Sequence, residues 1–305
     1  MIKKINLWIR NIIEQVELLC GYFFIFKIRS IRTDKIISNY TSFPEIGEEI
    51  AIIMQGPIIS KTKFTYETLK LYRKIYPNVT IILSTWVNTD QIILDEINQL
   101  NIFVITNELP TQRGHSNINL QLKSTISGFE HLNSHQVKYV LKTRTDQRIY
   151  SSENYLLFMI NAQESFPIQS DYLEKRLIVC NLNMYRNRKY CVSDMFMFGT
   201  LNDMNLFWNI PYQEEGLIED KEKEFFKNNL GEAYLINTFI KNIEFDIENT
   251  LPNSDLFLNS NFFIIDKNSI DLFWYKYNHN YERTAMIIDG KNDKIYSILN
   301  WHPMI

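Results

Sequence analysis

EIAIIMQGPI, residues 49–58, is an apolar run that stops at Gly56-Pro57, and it predicts a buried β-strand followed by a turn. Three more apolar runs predict further strands, namely VTIILSTW at 79–86, IFVITNE at 102–108 and KYVLKTRTD at 138–146. Between these runs, apolar residues recur at helical spacing and predict helices at about 66–75, 91–100 and 117–132. Since strands that alternate with helices form parallel sheets, we predict an α/β fold with a Rossmann-type, mostly parallel sheet and helices on both faces.

Polar residues follow each predicted strand at its carboxyl end. They are Gln55-Gly56-Pro57, Ser84-Thr85, Asn107-Glu108 and the segment RTDQR at 144–148. Parallel sheets bind their ligands beyond the carboxyl ends of the strands. The sequence therefore predicts a binding site along this edge of the sheet.

The segment KTRTDQR, residues 142–148, brings charge to that edge. Arg144, Asp146 and Arg148 together could hold an anionic ligand and a divalent cation, because Mg²⁺ and Mn²⁺ prefer carboxylate and phosphate oxygens. A structural arginine–aspartate pair at a strand end is the alternative.

A second candidate segment, TQRGHSN at 111–117, leads into a predicted helix. Arg113, Gly114 and His115 precede an N-cap at Ser116 or Asn117, and the N-terminus of a helix favours an anion. His115 could donate a hydrogen bond to such a ligand, or it could have only a structural role.

Three isolated residues complete the set of candidates. Asp194 precedes an apolar run, where it could be a turn residue or could bind a sugar hydroxyl. Glu232 lies in the first turn of a predicted helix at 231–243, where an acid either stabilises the helix dipole or serves as a general base. His302 lies beside Trp301 and Pro303, either in solvent or bound to a metal ion or phosphate.

The composition excludes several classes of protein. The 305 residues are 45% hydrophobic and 22% charged, which is ordinary for a globular protein, and the net charge of −3 argues against a general nucleic-acid binder. The three cysteines form no CxxC pair, which fits a reducing compartment. We predict a single domain over residues 46–305.

Residues 1–45 form a separate basic segment. Residues 1–35 carry seven lysines and arginines but three acids, and apolar residues recur there at helical spacing. The apolar run 18–26 is too short to span a bilayer, which requires about 20 residues. This segment predicts an amphipathic helix on an anionic membrane surface, or one that packs on the main domain or on a partner.

Five strings in this order resemble the WavE lipopolysaccharide synthesis family. They are MQGPI at 54–58, LSTW at 83–86, GHSNINLQLKST at 114–125, KTRTDQRIY at 142–150 and SDMFMFG at 193–199. The resemblance covers about residues 48–245. It implies a bacterial glycosyltransferase with a GT-A-like domain, which moves a sugar from a nucleotide-sugar donor to lipopolysaccharide or a related glycan or glycolipid acceptor.

The resemblance also implies roles for particular residues. GT-A enzymes generally hold a metal ion and the donor diphosphate with a DxD motif, of which this chain keeps only Asp146. We therefore predict a divalent ion, Mg²⁺ or Mn²⁺, bound by Asp146 and His302, with Arg144 or Arg148 replacing part of its charge. The transfer could invert or retain the configuration of the sugar, and if it inverts, the predicted base is Glu232, with Asp194 as the alternative. The predicted donor-binding residues are Gln55, Gly56, Pro57, Thr85, Arg113, His115, Asn117, Arg144, Asp146 and Arg148.

Two other functions remain open at this point. The same arginines and aspartate would suit a sugar-phosphate or polyol-phosphate transferase, because phosphoryl transfer also requires charge neutralisation. The incomplete DxD motif would also suit a non-catalytic glycan-binding assembly protein. In each case we expect the chain in the bacterial cytoplasm or on the inner face of the cytoplasmic membrane, where residues 1–35 contact lipid.

Overall fold

The computed structural model describes residues 2–21, 29–133, 136–168, 172–186, 188–214, 230–248, 250–275 and 295–301. The chain divides into two compact units, Met1–Ser30 and Ile31–Ile305. The domain boundary predicted near residue 45 stays a prediction.

The first unit contains the helix α1, Ile2–Cys20, which confirms the helix predicted at this end of the chain. Several of its large apolar side chains are exposed, among them Trp8, Leu18 and Leu19. None of the helices within the described residues combines the length and the apolar character that crossing a membrane would require.

The second unit alternates strands and helices as predicted. Its helices are α2 (Phe64–Ile75), α3 (Gln91–Asn98), α4 (Ile118–Leu132), α5 (Tyr155–Ser165), α6 (Leu201–Trp208), α7 (Leu230–Asn242) and α8 (Leu251–Asn261). Its strands are β1 (Ile50–Gln55), β2 (Thr80–Trp86), β3 (Phe103–Asn107), β4 (Tyr139–Arg144), β5 (Gln147–Ile149), β6 (Leu177–Cys180), β7 (Met197–Thr200), β8 (Phe262–Ile265) and β9 (Leu272–Trp274).

A seven-stranded sheet of order β3-β2-β1-β4-β7-β6-β8 forms the centre of this unit. Only β7 is antiparallel to its neighbours, β4 and β6, so the other six strands run in one direction. This confirms the predicted mostly parallel α/β sheet. The carboxyl ends of those six strands and the beginning of β7 therefore lie along one edge, which we call the carboxyl edge.

The direction of each crossover decides which face of the sheet its helix covers, because crossovers between parallel strands are right-handed as a rule. The chain steps from β1 to β2 to β3 in one direction and then returns to β4 on the other side of β1. Right-handed crossovers consequently place α4 on the face opposite to α2 and α3. The α4 helix packs closely on β1, since a Cβ on Gly128 would lie only 2.7 Å from Ile53 Cγ2.

A small second sheet pairs β5 with β9, residues far apart in the sequence. Gln147 lies opposite Trp274 in this antiparallel pair, and Ile149 lies opposite Leu272. The pairing brings the aromatic residues of 272–275 to the end of β4. No sequence pattern had placed them there.

Candidate functional site

Two turns meet at the carboxyl edge, after β1 and after β4. Gly56 has a φ of +118°, and its N–H donates to Ser84 O across 3.0 Å. Thr145 donates its N–H to Gln55 O (3.1 Å) and its hydroxyl to Pro57 O (2.6 Å). A Cβ on residue 56 would lie 3.1 Å from Thr145 Oγ1. Glycine is therefore favoured here both by the backbone conformation and by the close approach of Thr145.

This contact lies at the topological switch point of the sheet. β1 and β4 are neighbours, but the crossover that leaves β1 and the crossover that enters β4 run on opposite sides. Open α/β sheets bind ligands in the crevice at such a point. The predicted donor-binding residues Gln55, Gly56 and Pro57 lie at this switch point, and we call the region beyond the ends of β1 and β4 the crevice.

Gln55 is held at the crevice by the helix above it. Its side chain is almost fully buried, and its Oε1 accepts a hydrogen bond from Ser124 Oγ of α4 at 2.8 Å. Within the described residues, its amide nitrogen Nε2 has no acceptor. Gln55 thus offers one oriented donor to a ligand in the crevice.

Arg144 and Asp146 form a bidentate ion pair on the β4 side of the crevice. Arg144 Nε and Nη2 donate to the two carboxylate oxygens of Asp146 at 2.8 and 2.9 Å. Trp274 Nε1 also donates to Asp146 Oδ2 (3.0 Å), and Tyr275 N donates to the Asp146 backbone oxygen (2.8 Å). The Arg144 side chain remains 29% exposed. Asp146 therefore fixes a guanidinium whose outer surface can contact an anion.

The pKa of Asp146 reflects these contacts. Burial acts to raise the pKa of this carboxyl group, but the hydrogen bonds and positive charge of Arg144, with the bond from Trp274, lower it below its ordinary value. Asp146 is therefore ionised at neutral pH and keeps its partner in place.

The same contacts bear on the predicted metal ion. Both oxygens of Asp146 already accept hydrogen bonds, and the described residues contain no cluster of three or more His, Cys, Asp and Glu side chains suited to a metal. Oδ1 accepts one hydrogen bond and Oδ2 accepts two, so Oδ1 is the oxygen that keeps a lone pair for a cation, and Asp146 as a metal ligand stays a prediction. His302 lies outside the described residues, so its role as a ligand stays a prediction.

Two other predicted donor-binding residues, Thr85 and Arg148, are fully buried. Thr85 Oγ1 lies 3.3 Å from Thr89 Oγ1. Arg148 donates to Thr68 Oγ1 (2.8 Å) and to Phe64 O (2.9 Å), and its guanidinium lies 4.4 Å from the centre of the Phe64 ring. We correct the prediction for Arg148: its hydrogen bonds tie β5 to α2, and it does not point its charge into an open site.

The predicted anion-binding segment is a loop with an uncommon backbone. Gly114, Ser116 and Asn117 all have positive φ values, of +66°, +52° and +63°. Two of these are not glycine, and such strain is often found at functional sites. Gln213 Oε1 accepts from His115 N at 2.8 Å and so braces the loop.

The side chains of Arg113, His115 and Asn117 are exposed on this loop. Asn117 occupies the predicted N-cap position of α4, but its side chain makes no capping hydrogen bond. The loop also lies against the beginning of α7, where a Cβ on Gly231 would be 3.1 Å from Ser116 Cβ. Glu232, the next residue, is half-buried, so the structure brings the predicted base close to this loop.

Asp194 lies in the turn before β7 and therefore also at the carboxyl edge. It is almost fully buried, and its backbone oxygen accepts a hydrogen bond from Lys142 Nζ. Lys142 is itself fully buried in β4, with Nζ 4.2 Å from the centre of the Trp208 ring. Burial lowers the pKa of Lys142 to about 7, although the charge of Asp194 acts in the opposite direction.

Three residues of this site were not among those predicted from the sequence. Thr145 and Trp274 carry no local signal, because their partners lie 80 or more residues away. Lys142 does carry one, since a lysine in the middle of an apolar strand must be buried and needs a partner.

Solved structures that resemble this chain share little sequence with it. The 4-diphosphocytidyl-2C-methyl-D-erythritol synthase of Anaerococcus prevotii is 15% identical over 60% of this chain and 85% of that chain, with a TM-score of 0.37. Mouse xyloside xylosyltransferase 1 is 6% identical over 73% and 86%, with a TM-score of 0.37. The glycosyltransferase GlyE of Streptococcus pneumoniae is 10% identical over 80% and 50%, with a TM-score of 0.36.

No curated protein matches the chain. The profile of one family does, and its description is WavE lipopolysaccharide synthesis. The match extends over residues 50–272 and includes the crevice between β1 and β4, the loop before α4 and the turn before β7. The chain belongs to the WavE lipopolysaccharide synthesis family.

Proposed function

We propose that this chain is a GT-A-like glycosyltransferase that moves a sugar from a nucleotide-sugar donor to a hydroxyl group of lipopolysaccharide or a related surface glycan. The observation that carries the proposal is the topological switch point of the sheet, between β1 and β4. There the Gly56 turn meets Thr145, and the Arg144–Asp146 pair adds a fixed positive group beside it.

In this proposal the crevice binds the nucleotide end of the donor. The small turn at Gly56 lets a ligand approach the backbone closely, and Gln55 Nε2 supplies a hydrogen-bond donor. The Arg144 guanidinium contacts the diphosphate. The bond between the anomeric carbon and the phosphate oxygen breaks during transfer, so negative charge develops on the leaving diphosphate, and a preorganised cation stabilises it.

The acceptor hydroxyl must lose a proton as the new glycosidic bond forms. The two candidate bases are Glu232 and Asp194, which lie on different elements. Glu232 begins α7 beside the strained loop at 114–117, and Asp194 lies in the turn before β7. A positioned carboxylate typically contributes 10²- to 10⁴-fold to such a step.

Positive charge at the diphosphate is assigned to Arg144 rather than to a metal ion held by Asp146. Asp146 has both oxygens engaged by Arg144 and Trp274, so its role in this proposal is to position the guanidinium. A divalent ion bound elsewhere, with His302 as a ligand, stays compatible with this arrangement.

The acceptor would be a glycan or glycolipid, and we propose that α1 keeps the enzyme near it. The basic residues of 1–35 and the exposed apolar side chains of α1 suit the inner face of the cytoplasmic membrane, where anionic lipids are present. The site of action would then be the bacterial cytoplasm at that surface.

Product analysis tests the proposed reaction. The protein is incubated with UDP-, GDP-, CMP- and dTDP-linked sugars and a lipopolysaccharide-derived acceptor, and the product mass is measured. We expect the acceptor to gain one dehydrated sugar without phosphate, and either Glu232→Gln or Asp194→Asn to reduce kcat about 100-fold or more.

Two outcomes would contradict the proposal. An added phosphodiester would establish phosphoryl transfer instead. Glycan binding without consumption of any donor would favour the assembly-protein function.

A further inference from the structure

A cavity of about 500 Å³ opens at the carboxyl edge, away from the crevice. It lies at the ends of β6 and β8, two neighbouring parallel strands. Asn181 directly follows β6, and Asp266 directly follows β8. Tyr296 and Ser297 also line it. A cavity of this size falls within the range of small-molecule sites.

The sheet fixes where this cavity lies relative to the proposed donor site. β6 is two strands away from β4, and β8 is three strands away. With a strand spacing of about 4.8 Å, the cavity is roughly 10–14 Å from Arg144 along the edge. The turn containing Asp194 begins β7, which lies between β4 and β6. One candidate base is therefore located between the two sites.

A hydrogen-bond network holds the cavity wall in place. Asn181 Nδ2 donates to Asp266 Oδ1 at 2.8 Å and to Tyr296 O at 2.9 Å, while Asn181 Oδ1 accepts from Lys267 N at 3.0 Å. Both polar atoms of the Asn181 amide group thus orient its neighbours. Within the described residues, the second carboxylate oxygen of Asp266, Oδ2, has no donor.

The charges of the wall indicate what kind of ligand fits. Among the described residues of the lining, the charged side chains are Asp266 and Lys267, and their opposite charges balance. A lining without net charge favours a neutral ligand over a phosphate, and hydroxyl groups could donate to Asp266 Oδ2. Asn268, Ser269 and the Tyr185 ring add neutral polar and aromatic surface around it.

We propose that this cavity binds a neutral sugar unit of the acceptor glycan, with Asp266 Oδ2 accepting hydrogen bonds from its hydroxyl groups. This inference rests on the proposed function, because a sugar-transfer reaction requires a second saccharide, the acceptor, next to the donor. The binding of a sugar in this cavity can be measured without turnover.

The test uses saturation-transfer NMR and calorimetry on the full chain with a library of neutral mono- to trisaccharides and the corresponding sugar phosphates. Asp266→Asn keeps one oxygen for Asn181 but removes the free acceptor, and we expect it to weaken saccharide binding at least tenfold. Ser269→Trp fills the cavity from its exposed rim and should also abolish binding. Glu164→Gln, an exposed carboxylate paired with Lys175, is the matched control and should bind as the parent does.

The outcomes separate this inference from the proposed function. Equal saccharide affinity in Asp266→Asn and Ser269→Trp, a preference for sugar phosphates, or no saccharide bound by the parent protein would each overturn the inference. If transfer occurs but the acceptor KM of both variants is unchanged, the glycosyltransferase proposal stands and this site is wrong. If saccharides bind through Asp266 but no nucleotide sugar is consumed, the site stands and the transferase proposal fails.

Discussion

Asp146 is placed to act on the proposed donor site through Arg144. It receives two hydrogen bonds from Arg144 and one from Trp274, in a position that is almost closed to solvent. Charge-assisted bidentate pairs fix both direction and distance. Asp146 is therefore best regarded as a positioning residue for Arg144, and its loss would leave the cation without a fixed orientation.

Lys142 allows a prediction about pH. Its pKa is about 7 in the folded protein because of burial, against 10.5 as the ordinary value. The unfolded chain therefore binds more protons between those two pH values, so the free energy of unfolding rises with pH above about 7 and stops rising near 10.5. The part of the slope due to Lys142 should approach about 1.4 kcal/mol per pH unit.

Urea unfolding at pH 7, 8 and 9 measures this slope. We expect the slope of the free energy of unfolding against pH to be smaller by about 1.4 kcal/mol per pH unit in Lys142→Met, because the buried amine is gone. Asp194, Arg144 and Asp146 are the charged groups that influence Lys142 electrostatically. Lys138→Met removes an exposed lysine just before β4 and should keep the slope of the parent. The same slope in Lys142→Met as in the parent would show that Lys142 does not titrate in this range.

At the level of single residues, the sequence predicted the two turns correctly but not their partners. Gly56-Pro57 ends an apolar run, so a turn there follows from local chemistry, and the same holds for Arg144 and Asp146 at the end of β4. Arg148 could not be distinguished from Arg144 by spacing alone. Its burial depends on α2 and on β9, elements that contact it only after the chain has folded.

Among the elements, local periodicity predicted β1 to β4 and the helices between them. Each of these strands contains a run of at least three consecutive apolar residues, and α2 and α4 bury one apolar face. The antiparallel β7 and the β5–β9 pair were not predicted. Their strands contain three or four residues, which is too short for a clear pattern, and their direction is set by distant partners.

The helix α1 carries a prediction about membranes. Its exposed Trp8, Ile12, Val16 and Leu19 are spaced for one apolar face, while residues 1–35 have four more basic than acidic side chains. Each basic residue near an anionic surface contributes about 1 kcal/mol. We expect the protein to sediment with vesicles that contain phosphatidylglycerol, to be released by high salt, and to lose this binding when residues 1–30 are removed.

Two controls make that result specific. Neutral phosphatidylcholine vesicles should bind much less protein, and Trp8→Ala with Leu19→Ala should weaken binding while leaving the basic residues unchanged. A truncated protein that sediments as strongly as the full chain would place the membrane contact outside α1.

At the scale of the whole molecule, one edge of one sheet collects the candidate groups. Six parallel strands end there and β7 begins there, so the crevice at Gly56, the Asp194 turn and the cavity at Asp266 follow one another along a line. Under the proposed function, the donor site, one candidate base and the acceptor site would lie in this order along the edge. The sheet order, which arises from long-range pairing, is therefore the feature that gives the separate sequence motifs a common site.

The central claim is that Arg144 binds the diphosphate of a nucleotide donor in the crevice. Calorimetric titration of UDP, GDP, CDP and dTDP, with Mn²⁺ or with EDTA, measures this most directly. Arg144→Met removes the cation and Arg144→Lys keeps the charge without the bidentate pair, while Lys175→Met removes a surface cation as a control. Thermal unfolding of the Arg144 variants reports whether loss of the Arg144–Asp146 pair has destabilised the fold.

We predict that one of these nucleotides binds the parent protein and binds in EDTA as well, since Arg144 supplies the charge. A hydrogen bond to a charged group contributes about 1.5–3 kcal/mol, so Arg144→Met should weaken the Kd about 10- to 100-fold and Arg144→Lys should weaken it less. Lys175→Met should bind as the parent does. No binding of any nucleotide by the parent, or the same Kd in a folded Arg144→Met protein, would contradict the account.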